Sequence, residues 1–152
     1  PAVSLTDSLE RCLEVQAQAI HTKRPEVVVA SSWGGAVAQL ALARGVWTGP
    51  TLLLAPALGR AVEAMGTYAG SDVDMASICA RVRALSDHAR ARILVIHGED
   101  DASVPPSHSA DFCAAAGVRL VILKGGDHSL NTLLGAQPGA SELGLASGFL
   151  HM

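Results

Sequence analysis

Val27-Val28-Val29-Ala30-Ser31-Ser32-Trp33-Gly34-Gly35 is the stretch on which the reading of this chain turns. A β-branched apolar run stops at a turn of small residues, and an alanine-rich helical pattern follows from Ala36 to Arg44. Strand, sharp turn and helix with a serine at the apex is the layout of a nucleophile elbow. Such a turn strains the backbone of the apical serine, here Ser32, and lifts its hydroxyl above the sheet. Strand and helix nearly touch at the turn. Small residues are therefore expected two before and two after the serine, at Ala30 and Gly34, with Gly35 beyond. The helix N-terminus behind Ser32 presents backbone N–H groups to developing negative charge. Alone, the motif leaves two readings open: a catalytic apex, or a tight strand-to-helix turn and nothing more.

Composition narrows the classes. The 152 residues suit one domain, 1–152, with a sizeable core. At 49% hydrophobic and 16% charged the chain is globular rather than disordered. A net charge of −3 gives no electrostatic case for nucleic acid or an anionic membrane as partner. No apolar run approaches the roughly 18 residues that span a bilayer. No basic-then-apolar leader opens the sequence. Cys12, Cys79 and Cys113 are odd in number and far apart, which suggests small core residues in a reducing, cytoplasmic setting.

In order along the chain, residues 4–21 carry an amphipathic helical stripe, Leu5, Leu9, Leu13 and Ile20. Ser4 with Asp7, or Asp7 with Glu10, would cap it. Pro25 ends it. The Val27–Ala30 run is too apolar for a half-exposed strand and suits a parallel sheet covered on both faces. Arg44-Gly45 closes the helix after the turn. Thr51–Ala55 reads as a second strand. Residues 57–91 are less defined, a short lid or crossover, with a helical pattern from about Met75 to Ala91. Ile93–His97 reads as a third strand and Leu120–Leu123 as a fourth. A helix runs to Ala116 and is closed by Gly117. Further helices are expected from Ser129 and from near Ser141. This alternation predicts an α/β fold, a three-layer α/β/α sandwich with a mainly parallel sheet of about four strands.

Functional groups of open α/β sheets gather beyond the C-terminal strand ends. Three of the four strands end in a reactive side chain: Ser32, then Asp101, then His128. A serine hydroxyl is a poor nucleophile at neutral pH. It needs a histidine to take its proton, and the histidine needs a carboxylate to fix its tautomer and stabilise its charge.

With these residues in place, the sequence resembles the α/β-hydrolase superfamily. Ala30-Ser31-Ser32-Trp33-Gly34-Gly35 is similar to the family's elbow, and His97-Gly98-Glu99-Asp100-Asp101-Ala102-Ser103-Val104-Pro105 to its acid loop. Gly125-Gly126-Asp127-His128 is similar to its histidine loop. The resemblance implies Ser32 as nucleophile, Asp101 as acid, His128 as base and the Trp33 backbone N–H as an oxyanion-hole donor. It points to the small esterase and thioesterase branch, dienelactone-hydrolase-like, with no cofactor and no metal. Two departures stand out. Ala30 replaces the elbow's first glycine. The family's strands ahead of the opening helix, whose loop supplies a second oxyanion donor, have no counterpart in this sequence. A truncated α/β-hydrolase fold is therefore expected, with Val27–Ala30 as an apolar edge open to self-association.

Competing residues carry plainer readings. Ser31 is turned away by strand alternation. Asp100 and Glu99 suit turn positions, and Asp72 or Asp74 is an alternative acid after the second strand. His97 suits a structural hydrogen bond. His21, His88, His108 and His151 read as surface residues. His97, Asp101 and His128 match no common metal-ligand spacing. Trp33 lines an acyl pocket or packs; Met65, Tyr68 and Met75 touch substrate or the core; Asp127 caps the following helix. The expected activity is cleavage of a small ester or thioester through an acyl-enzyme. The alternatives are a weak or inactive binding domain of the same fold, and an acyltransferase or peptidase with the same three residues.

Overall fold

The computed structural model describes residues 5–65 and 74–130. The element order is α1 (Leu5–Lys23), β1 (Val28–Ser31), α2 (Ser32–Ala43), β2 (Thr51–Leu54), α3 (Leu58–Met65), α4 (Met75–Arg83), α5 (Asp87–Arg90), β3 (Ile93–Gly98), α6 (Pro106–Ala116) and β4 (Arg119–Leu123). The four strands form one parallel sheet in the order β1-β2-β3-β4. A parallel sheet in sequential order, built with right-handed crossovers, carries its connecting helices on one face.

The packing agrees. Register aligns Ala30, Leu53, Val95 and Leu120 across the sheet. Leu53 and Val95 are fully buried in one cluster with Leu9 and Leu13 of α1, Leu40 and Leu42 of α2, Ile78 of α4 and Phe112 of α6. α1 is tied to α2 by the paired hydrogen bonds of Arg44 to both carboxylate oxygens of Glu10. Glu10 therefore serves helix packing, not the cap considered for α1. Ser4 lies outside the described residues. The helix expected near Ser141 falls outside the described residues as well.

Among the described residues β1 is an edge strand, and Val29 on its far face is 59% exposed. Nothing among these residues gives the strand the coverage on both faces expected from the Val27–Ala30 run. Apolarity of a strand marks one packed face; it does not reveal the strand's place in the sheet. Among its described residues the 57–91 stretch carries three short helices, α3, α4 and α5. α3 was not evident because Gly59 interrupts its pattern. A side chain there would sit 2.7 Å from the His108 ring, so close packing of α3 on α6 calls for glycine. The expected helix from Met75 to Ala91 is two helices. Asp74 caps α4 by accepting from Ser77 N at 2.8 Å, and Ser86 caps α5 by accepting from Ala89 N at 3.2 Å. No helix among the described residues is long and apolar enough to cross a membrane.

Candidate active site

Ser32 stands where β1 hands over to α2, at φ 49. A non-glycine residue in the left-handed region costs roughly 1–3 kcal/mol and persists only where its surroundings over-determine it. Here the surroundings do. The Ser32 carbonyl accepts from Ala57 N at 2.9 Å. The close approach expected at Gly34 falls at Gly35 instead. A Cβ on Gly35 would lie 2.8 Å from Pro56, whereas one on Gly34 would meet nothing within 4 Å. The turn is thus pressed between β1 and the loop after β2. Trp33 follows as the second residue of α2, in the first turn, where backbone N–H groups have no intrahelical acceptor. Its side chain packs against the core. Ser31 is exposed at the N-cap and makes no side-chain cap.

β3 ends at Gly98 and β4 at Leu123, and their loops are stitched together. Glu99 N donates to Leu123 O, and Asp100 N to Gly126 O, both at 2.9 Å. Gly98 and Gly126 cross in backbone contact; a Cβ on Gly98 would lie 2.2 Å from Gly126 O. The crossing brings Asp101 and His128 together.

The Asp101 carboxylate is buried. Its Oδ1 accepts from Ser103 N at 2.8 Å and Val104 N at 2.9 Å, and its Oδ2 lies 2.7 Å from His128 Nδ1. Burial alone would push this carboxyl up. The Val104 N–H, His128 and the Ser103 N–H together outweigh burial and hold it below the ordinary carboxylate range. An ionised carboxylate only accepts, so His128 Nδ1 carries a proton and its Nε2 is left as the acceptor. That Nε2 lies 2.9 Å from Ser32 Oγ.

The structure thus brings Ser32, His128 and Asp101 into one hydrogen-bonded line. Asp100 is exposed and enters only through its backbone. Asp74 is a helix cap, and Asp72 lies outside the described residues. Met75 packs on the core; Tyr68, His151 and the side chain of Met65 lie outside the described residues. His128 and Ser129 form a turn, and the helix expected from Ser129 also falls outside them. His21 and His88 are exposed. His108 is half-buried: its side chain is 15% exposed and meets Glu63 at 2.9 Å. It is covered by α3, where Gly59 packs against its ring. Among the described residues no group of three or more His, Cys, Asp or Glu side chains is arranged to hold a metal ion. Cys79 and Cys113 are buried free thiols. Burial, then the neighbouring Cys79, pushes Cys113 up to about 12, so it is inert.

Sequence reasoning missed Ser109, whose Oγ lies 2.7 Å from His97 Nδ1 behind the acid. The spacing of twelve residues, from a strand end to the first turns of the next helix, was the available signal.

Comparisons with known proteins fit this architecture. No family model matches the chain, and no curated protein matches it. Solved structures do. TT1662 from Thermus thermophilus matches with a TM-score of 0.65 at 18% identity, over 97% of this chain and 64% of that one. Est1E from Butyrivibrio proteoclasticus, with ferulic acid bound, matches with a TM-score of 0.53 at 19% identity, over 88% and 64%. The chain spans about 64% of the length of these solved chains. At such identities the likeness is one of fold: this chain has an α/β-hydrolase-like fold.

Proposed function

We propose that this chain is a serine hydrolase acting on small carboxylic esters or thioesters. One observation carries the reading: Ser32 Oγ, on a strained strand-to-helix apex, lies 2.9 Å from His128 Nε2, whose Nδ1 meets the buried Asp101 at 2.7 Å. Ser32 Oγ attacks the substrate carbonyl carbon as His128 Nε2 takes its proton. The tetrahedral oxyanion faces the Trp33 N–H and the N-terminus of α2. Collapse breaks the bond to the leaving alcohol or thiol, which receives the proton from His128. Water then attacks the acyl-Ser32 ester, with His128 again as base, and the carboxylic acid departs. Asp101 keeps the imidazole in the tautomer that both half-reactions need.

Three free thiols support a reducing, cytoplasmic setting. The apolar β1 edge supports pairing with a second copy. Light scattering should then give a mass above that of one chain, and a monomer at every concentration would contradict the pairing.

Hydrolysis of p-nitrophenyl acetate and of a short acyl thioester tests the activity. His128→Ala should lower turnover by about 10²–10⁴-fold, the range for loss of general base catalysis. Turnover unchanged in His128→Ala and Ser32→Ala would sink the proposal.

A further inference from the structure

Asp101 lies between two histidines, and the proposed reaction uses one of them. The other, His97, is the next-to-last residue of β3 and is fully buried. Its Nε2 is 3.0 Å from the Val104 carbonyl oxygen and 3.0 Å from Asp101 Oδ2. Its Nδ1 is 2.7 Å from Ser109 Oγ on α6. A carbonyl oxygen and an ionised carboxylate both only accept, so Nε2 carries a proton. In a neutral imidazole Nδ1 is then the acceptor, and the Ser109 hydroxyl donates to it.

We infer that His97, held in place by Ser109, is a positioning residue for the acid: its Nε2–H fixes the Val104 carbonyl and so keeps Asp101 Oδ2 aligned on His128. The inference rests on the Ser32–His128–Asp101 reading given above. Val104 is the link. Its N–H holds Asp101 Oδ1, and its carbonyl is held by His97. Residues 102 and 103 between them are exposed and offer the turn little packing. Val104 and Ser109 are both buried. Without His97, the Val104 carbonyl and the Ser109 hydroxyl would lose their partners away from water. Such groups are costly to leave unmade, and the turn would shift to satisfy them. A shift of about 1 Å at a group that orients a base can cost about 10²-fold in rate.

A histidine that only filled the core would affect stability and leave His128 untouched. The discriminating readout is therefore the low-field proton resonance of His128 Nδ1–H, assigned by its loss in His128→Ala. It reports the bond to Asp101 whether or not the chain turns over substrate. In folded His97→Ala this resonance should broaden or vanish, its exchange with water rising about tenfold or more. Ser109→Ala, which removes only the outer hydroxyl, should shift it the same way by less. His97→Gln, whose amide N–H can reach the Val104 carbonyl, should restore it. Reactivity toward a fluorophosphonate should follow the same ranking, with His97→Ala slower by about 10–100-fold. An unchanged resonance in folded His97→Ala would overturn the inference. Should that variant not fold, an unchanged resonance in Ser109→Ala would do so. A normal resonance response in a wild-type chain that never reacts with the fluorophosphonate would sink the hydrolase reading and leave the positioning role standing.

Discussion

Asp101 and Ser32 face the same imidazole from the ends of β3 and β1, yet the two ends are held in different ways. The acid is held by hydrogen bonds. Two backbone N–H groups take one carboxylate oxygen, His128 and His97 lie on the other, and the loop is bonded to the turn that carries His128. β3 itself is an inner strand with a partner on each side. The nucleophile is held chiefly by shape, with one backbone hydrogen bond from Ala57 N to the Ser32 carbonyl. It ends an edge strand, its φ is 49, and contact with the loop after β2, at Gly35 against Pro56 and at the Ser32 carbonyl, keeps it there. The carboxylate must stay charged while buried, which only a dense set of donors allows. The serine must stay strained and reachable, which steric confinement at an open edge allows.

Substitutions that attack one mode of support and spare the other can break this contrast. The largest effect is expected at the crossing of the acid and histidine loops. Gly98→Ala would drive a methyl into the Gly126 carbonyl, backbone against backbone. Overpacking of this kind costs about 1–3 kcal/mol or more. The urea midpoint should fall, and labelling by a fluorophosphonate should be lost with it. Gly35→Ala comes next, because its nearest contact, Pro56 at 2.8 Å, is less severe than the 2.2 Å at Gly98. About 1–3 kcal/mol is expected, read from the same unfolding curve. Its neighbour sharpens the point. Gly34→Ala meets open space within α2 and should raise stability by about 0.5–1 kcal/mol. If the two alanines behaved alike, confinement at Gly35 would not be what holds the elbow.

The smallest expected effect is on pH dependence. The Asp101 carboxyl is held below its ordinary range in the folded chain, so the ionised form favours folding. That contribution is complete above the unfolded-state carboxylate range and is lost as pH falls through the lower folded value. Asp101→Asn should flatten the acid limb of the stability–pH curve. An unchanged limb would show that the donors around Asp101 do not bear on its ionisation.

Much of the site was legible because chemistry is written locally. Ser32, Asp101 and His128 each follow an apolar run and sit in a turn with small residues, and a parallel sheet delivers strand ends to one side. The elements were legible where one local signal was clean: the apolar stripe of α1, the alanine-rich run of α2 and the glycine that closes α6. What stayed hidden depends on partners distant in sequence. Val29 reads as buried because a β-branched run looks the same at an edge as in the middle of a sheet. Gly59 reads as a break until His108 is seen packed against it. Gly35 rather than Gly34 is the confined glycine because Pro56 arrives from another strand's loop. Ser109 has no motif of its own; only the path of α6 behind β3 brings it to His97.

The central claim is that Ser32 is activated by His128. Intact-mass measurement after exposure to a fluorophosphonate tests it most directly, with Ser32→Ala and His128→Ala beside the wild-type chain. A single adduct is expected on the wild-type chain, mapped to Ser32, and none on either folded variant over the same time. A folded wild-type chain that stays unlabelled, or one labelled equally in the His128→Ala variant, would contradict it.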